Sequence, residues 1–223
     1  MTTTSFGLPS GEVHSWCARL DVPPETSARF YATLTPDERT RSARFRFERD
    51  RQRFIVARGV LRDLLGRYLH THPGRVRFVY NAFGKPDLSP ECGSRLTFNL
   101  SHSDGLALIA VATDASVGVD VECIRAHSAD AEIARRFFSA AECDYLRGLP
   151  SHLYVDAFFR CWTKKEACLK ARGQSLGLPM KSPSVPERCS IYTLRPAPGY
   201  AGALAIEGTG RRVRQWRWET LED

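Results

Sequence analysis

Two carboxylates stand one residue apart in the stretch ASVGVDVEC, residues 115 to 123. Side chains of a β-strand point alternately to its two faces. Val117, Val119 and Val121 therefore read as one buried face of a short strand, and Gly118, Asp120 and Glu122 share the other. Like charges on one face repel, and acidic residues form strands poorly, so the pattern needs an offset. A solvated sheet face is one. A hard cation is another, because carboxylate oxygens are the ligands that magnesium takes. A third carboxylate elsewhere decides between them.

Glu166 is that third group. In VDAFFRCWTKKEACLKARG, residues 155 to 173, a helical period gathers Val155, Phe158, Phe159, Trp162 and Leu169 into one apolar arc. Glu166 falls inside the arc and Lys170 lies at its edge, one turn on. On a surface, such an i,i+4 pair stabilises a helix by about 0.2–0.5 kcal/mol. An ionised carboxylate facing a core is costly unless paired, so its position on the arc favours a functional, inward Glu166. Asp120, Glu122 and Glu166 could then hold one Mg²⁺ (or Mn²⁺), with waters and a phosphate completing the shell. Lys170 would stand beside a phosphate oxygen. His102, at a hairpin end, is a candidate for another phosphate contact.

The elements that carry these groups follow from local signals. LTPDERTRSARFRF opens a helix with Thr35 at N-cap, Pro36 at N1 and Glu38 at N3, a capping box. A second helix is expected over about 50 to 69, where Phe54, Ile55, Leu61, Leu64 and Leu65 recur at helical spacing and Arg51, Arg58 and Arg62 fall on another side. NAFGKPDL is a loop with a Gly-Lys-Pro turn. LTFNLSH and LALIAVA form a hairpin through Ser103, Asp104 and Gly105, and the 115–123 strand is expected to extend it into an antiparallel meander of three. Ser139 and Glu142 make another capping box, which assigns Glu142 to a helix start rather than to catalysis. A helix over 153 to 171 stops near Gly173. The stretch 177 to 199 reads as loop with one strand near CSIYTL, and GALAIEG and VRQWRWE as a closing pair of strands. The second half echoes the first, which hints at a duplicated architecture.

The chain has 223 residues, 43% apolar and 26% charged, enough for one large domain or two small ones sharing an interface. No apolar run is long enough to span a bilayer, and no secretory leader is expected. Seven scattered cysteines without a C-x-x-C pair argue against a disulfide framework or zinc site and for a reducing, cytoplasmic location. The net charge of +7 is concentrated: residues 39 to 67 hold ten arginines, no lysine and only the acids Glu48, Asp50 and Asp63. Nucleic acid is one partner for such a segment. A small polyphosphate is another, since arginine forks match phosphate oxygens, and a solvated helix face accounts for some of them.

At these residues the sequence resembles the 4′-phosphopantetheinyl transferases of the single-chain, pseudodimeric, surfactin-synthetase-activating type. GKP at 84 to 86, FNLSHS at 98 to 103, GVDVE at 118 to 122, RFFS at 136 to 139 and WTKKEACLKARG at 162 to 173 match the family pattern in order, over a span from about Thr35 to the final strands. The resemblance implies an α+β fold of two similar subdomains, each an antiparallel sheet with packed helices, related by a pseudo-twofold axis. Residues 1–114 would serve the coenzyme A nucleotide and phosphates, and residues 115–223 the metal ligands and catalytic helix, with the active site between them. It implies transfer of the phosphopantetheine arm of coenzyme A to a serine of an acyl or peptidyl carrier protein (a holo-[acyl-carrier-protein] synthase type activity), releasing adenosine 3′,5′-bisphosphate, by a monomer that needs neither nucleic acid nor membrane.

Carried over by position, Asp120, Glu122 and Glu166 resemble the metal ligands, Glu166 also the base on the carrier serine, and Lys170 the cation at the departing phosphate. Lys85, Ser101 and His102 resemble binders of the coenzyme, and Arg41, Arg44, Arg51 and Arg58 the arginines that hold its 3′-phosphate. Glu38 stands where some relatives have lysine, and Phe54 where some have a polar residue. Carrier docking is expected either at exposed arginines such as Arg46 and Arg49 or at Leu176, Leu178 and Met180 in the loop 174–186. The rival classes are a basic nucleic-acid-binding protein and a non-catalytic carrier-binding module.

Overall fold

A computed structural model describes residues 6–174 and 189–219; Leu176, Leu178 and Met180 lie outside them. The first part of the chain runs β1 (Glu12–Arg19), α1 (Pro24–Thr33), α2 (Pro36–Ser42), α3 (Glu48–Tyr68), the short ribbon β2 (Phe78–Tyr80) and β3 (Pro86–Leu88), and the hairpin β4 (Leu96–Ser103) and β5 (Leu106–Thr113). The second part runs β6 (Val117–Cys123), α4 (Ala131–Phe137), α5 (Ala140–Arg147), α6 (Ser151–Ala171), β7 (Cys189–Leu194) and β8 (Tyr200–Glu207), followed by β9 (Arg212–Trp218).

The same construction appears twice. One sheet has the order β4-β5-β1-β9 and another β6-β8-β7. In each, the opening strand of the half pairs antiparallel with the last strand of its hairpin, β1 with β5 and β6 with β8. In each, a helix of 21 residues, α3 or α6, precedes the hairpin. The α+β class and the echo between halves are thus both present. Both capping boxes form as expected, at Thr35 with Glu38 and at Ser139 with Glu142.

Two strand pairings differ from expectation. β6 does not extend the β4–β5 hairpin; it opens the second sheet. β8 and β9 do not pair with each other: β9 runs parallel to β1 and closes the first sheet. Both expectations assumed that neighbours in sequence pair. Non-local pairing overrides that here, and β1, the strand that receives both β5 and β9, gave no local signal that names its partners.

β5 shows how the layers stack. Its Ala107, Ile109 and Val111 pack with Val56, Val60, Leu61 and Leu64 of α3. Its Leu108, Ala110 and Ala112 pack with Val117, Val119, Val121, Leu204 and Ile206 of the second sheet. The order of layers is therefore helix, sheet, sheet, helix, with a core on each face of β5. On the far side, Ala203 and Ala205 of β8 meet Ala167, Cys168 and Ala171 of α6. α6 seats on this row of small residues through Thr163, Ala167 and Ala171, spaced four apart and buried. Phe158, Phe159 and Leu169 of the expected arc are buried as well, whereas Val155 and Trp162 are half-buried.

Gly118 is where this seating is tightest. A β-carbon there would overlap the carbonyl oxygen of Ala167 and the amide nitrogen of Ala171, and would lie 2.9 Å from the carbonyl carbon of Lys170. Those are backbone atoms of a buried helix and cannot swing aside. Gly118→Ala is expected to lower stability by about 1–3 kcal/mol, the usual cost of overpacking a core, and to lift the end of α6 from β6. A denaturant melt with an unchanged midpoint would contradict this seating.

Candidate active site

β6 is bonded to β8 along one edge only. The amides on its other edge are taken by side chains instead of by a strand. Asn99 Oδ1 accepts from Val119 N at 2.9 Å, and Ser103 Oγ accepts from Cys123 N at 3.1 Å, both from β4. β4 therefore meets β6 through side chains, which leaves a polar seam between the sheets. The acids sit in that seam. Ser101 Oγ donates to Asp120 Oδ1 at 2.9 Å, and Ser103 Oγ donates to Glu122 Oε2 at 2.7 Å.

α6 closes the seam from above. Because Gly118 admits its backbone, Lys170 reaches down to Asp120: its Nζ donates to Asp120 Oδ1 at 2.6 Å and to Ser101 Oγ at 3.0 Å. Asp120 is buried, at 1% exposure. Burial pushes its carboxyl above the ordinary range, and Lys170 and Ser101 only partly counter it. Glu122 is raised by burial too, with Ser103 opposing and the Asp120 charge adding. Glu166, one turn before Lys170, is raised from 4.5 to about 7; burial is the main cause, Lys170 opposes it, and Asp120 and Glu122 add to it. The three carboxylates thus feel one another, as their residue types and spacing suggested.

Among the described residues, no group of three or more His, Cys, Asp or Glu side chains is gathered in a geometry that holds a metal ion. The donor set nevertheless suits a hard divalent cation. Asp120 Oδ2 is buried without a hydrogen-bond partner, and an orphaned carboxylate oxygen is costly unless something positive faces it. Glu122 and Glu166 supply two further carboxylates within electrostatic reach.

A basic cleft of about 710 Å³ lies at α2 and α3, lined by Asp37, Glu38, Thr40, Arg41, Arg44, Phe45, Phe54, Arg58 and Tyr80. Of the four expected arginines, Arg41, Arg44 and Arg58 border it. Arg51 does not; it pairs with Glu48 at 3.5 Å. Arg58 is buried, with Nε and Nη2 on Glu38 Oε1 at 2.9 and 2.6 Å and Nη2 on the Tyr80 hydroxyl at 2.8 Å. Arg62, fully buried, binds Glu38 Oε2 at 2.8 Å and the carbonyls of Pro73 and Val76. Glu38 is the internal counter-ion of both: burial pushes its carboxyl up, but the two guanidiniums and the Thr35 amide together hold it below its usual value. Part of the arginine excess is therefore structural, and the departure at Glu38 has a reason.

His102, on β4 between Ser101 and Ser103, is exposed, and surrounding protein, then the charges of Lys170 and Arg41, lower its pKa. Lys85 points elsewhere: its Nζ donates to the carbonyls of Lys170 at 2.7 Å and Val117 at 3.4 Å. Sequence reasoning assigned no role to Asn99, Ser103 or Asn81. Thr97, Asn99, Ser101 and Ser103 repeat with period two along β4, and that signal was readable.

The chain matches two family models: one described as 4′-phosphopantetheinyl transferase, N-terminal, over residues 23–114, and one described as 4′-phosphopantetheinyl transferase superfamily over residues 116–218. It is 39% identical to the 4′-phosphopantetheinyl transferase HetI of Nostoc sp. over 224 aligned residues, covering 95% of this chain and 94% of that protein. It is 29% identical to the 4′-phosphopantetheinyl transferase Sfp of Bacillus subtilis, covering 81% of this chain and 85% of that one.

Proposed function

We infer, from the premise that the chain belongs to the 4′-phosphopantetheinyl transferase superfamily, that it moves the phosphopantetheine of coenzyme A onto a carrier-protein serine and releases adenosine 3′,5′-bisphosphate. The observation that carries the reading is the convergence on Asp120: Ser101 from β4 and Lys170 from α6 both bond to one of its oxygens, and the other is left without a partner. A nucleic-acid-binding protein has no use for such a buried acid. We assign the carrier as an acyl or peptidyl carrier domain, the enzyme as a monomer of holo-[acyl-carrier-protein] synthase type, and its location as the cytoplasm, in keeping with seven free cysteines. We also divide the chain at 114/115, with β9 returning to the sheet of β1.

Asp120, Glu122 and Glu166 would hold Mg²⁺, which when bound neutralises pyrophosphate charge and orients its oxygens. The chain's own residues do the rest. Arg41 and Arg44, with Arg58 in the wall, offer the cleft to the 3′-phosphate, and His102, whose pKa responds to the charges of both Arg41 and Lys170, adds a further phosphate contact. Glu166, a half-buried carboxylate one turn before Lys170, takes the proton of the carrier serine as general base. The serine oxygen bonds to the β-phosphorus, and the bond from that phosphorus to the bridging oxygen breaks. Lys170, already among oxygen acceptors, neutralises the phosphate that leaves. Positioning and charge stabilisation account for most of the rate in such transfers.

The test is the intact mass of a panel of apo-carrier domains incubated with the protein, coenzyme A and Mg²⁺. Gain of one phosphopantetheine on the carrier serine is the expected result; no gain on any carrier, with the protein folded, rejects the reading. Dephospho-coenzyme A, which lacks the 3′-phosphate, is expected to bind worse by roughly 10–100-fold, the worth of one or two hydrogen bonds to a charged group. His102→Ala and Arg41→Ala should each narrow that difference. If neither does, the 3′-phosphate lies outside the cleft.

A further inference from the structure

The Gly-Lys-Pro loop makes contacts that coenzyme binding does not explain. It joins β2 to β3, and its Asn81 and Lys85 both reach across to the C-terminal end of α6. Asn81 Oδ1 accepts the amides of Phe83 and Lys85, each at 2.9 Å, which leaves its Nδ2 to donate to the carbonyl of Gly173 at 2.9 Å. Gly173 ends the helix at φ +70°, and a β-carbon there would crowd Asn81 Nδ2 at 3.0 Å. Lys85 Nζ donates to the Lys170 carbonyl at 2.7 Å and the Val117 carbonyl at 3.4 Å. The last carbonyls of a helix carry its negative pole, and although that of Lys170 already accepts the Gly173 amide at 3.1 Å, an ammonium and an amide are the groups that suit this end.

Lys85 touches Lys170 at the backbone, while the Lys170 side chain lies on Asp120 and Ser101. Its second carbonyl belongs to Val117, the residue before Gly118, on which α6 rests. One ammonium therefore ties the first strand of the second sheet to the turn of helix that bears Lys170. We propose that Lys85, aided by Asn81, is a positioning residue for the transfer, acting on the rate through Lys170 rather than by holding coenzyme A. The small β2–β3 ribbon thereby couples the first half of the chain to the catalytic helix of the second. This inference rests on the transferase reading above, and wild-type transfer to a carrier is its control: failure there rejects the reading, whereas the variants address the clamp.

Lys85→Met is compared with wild type for coenzyme A affinity by calorimetry and for single-turnover rate, alone and combined with Lys170→Ala. The expected result is an affinity within about 3-fold of wild type and a rate lower by roughly 10–100-fold. In the Lys170→Ala background, Lys85→Met should then change the rate by less than about 2-fold, because two residues acting through one contact are not additive. Lys85→Arg should restore part of the rate. An affinity reduced tenfold or more with the rate intact would assign Lys85 to the coenzyme, and rate losses that multiply would separate it from Lys170; either overturns the proposal. If Lys85→Met does not fold, Asn81→Ala, which removes the Gly173 bond together with the two loop-amide bonds and keeps the Lys85 ammonium, is carried through the same cycle with the same criteria.

Discussion

Glu166→Gln is expected to slow transfer by about 10²–10⁴-fold, the range that a positioned general base contributes, and at the same time to stabilise the ligand-free protein above pH 7. The two effects have one origin. Burial and the neighbouring Asp120 and Glu122 raise the Glu166 carboxyl from 4.5 to about 7, against the pull of Lys170. Between those values the folded state holds a proton that the unfolded state has lost. Stability therefore falls as pH rises through that window, and the loss is complete above about pH 7. A shift of this size corresponds to about 3–4 kcal/mol at one site. Glutamine keeps the shape without the charge and removes this penalty, so its melting temperature should exceed that of wild type by several degrees at pH 8 and match it near pH 4. An inactive variant with no stability gain at pH 8 would mean that Glu166 is not held against its charge; an active one would remove it from the chemistry.

Transfer should also stop in EDTA and return with Mg²⁺ or Mn²⁺. A binding readout separates this from any effect on the carrier. Added to the ligand-free protein, Mg²⁺ should raise the melting temperature, because an ion that binds only the folded state stabilises it by about 2.7 kcal/mol at a hundredfold excess over its dissociation constant. The rise should be larger at pH 8 than at pH 6, since the cation displaces protons from carboxyls whose pKa values are all raised. Asp120→Ala should abolish both the rise and the turnover. Asp120 would offer such a cation its orphaned Oδ2, since Lys170 occupies Oδ1. Full turnover in EDTA, or a melting temperature indifferent to Mg²⁺, rejects the assignment of these three acids.

Much of the candidate site's layout is legible in the sequence. The alternation of Val117, Asp120 and Glu122 placed the acids on one face, and the helical period placed Glu166 inward and Lys170 beside it. Both are short-range regularities, set by how side chains leave a strand or a helix, and neither depends on what lies opposite. The capping boxes at Thr35 and Ser139 are local for the same reason. Arg41, Arg44 and Arg58 were singled out by type and helical position, and they border the cleft.

What lay opposite was decided only by the tertiary structure. The seam exists because β6 leaves one edge unpaired and Asn99 and Ser103 satisfy its amides; the polar repeat on β4 is visible in the sequence, but that it meets the edge of β6 is not. Arg51 and Arg58 look alike on the helix, but Glu38 of the preceding helix draws Arg58 inward and leaves Arg51 with Glu48. Ser101 and Lys85 read as ligand contacts by their motifs, and the fold gives them Asp120 and the end of α6. β9 crosses to β1 over some two hundred residues of chain. The residue types and periods determined which faces must be buried and which groups could do chemistry. Which partners those groups meet follows from packing two sheets and two long helices together, where each contact is made by residues far apart in the chain.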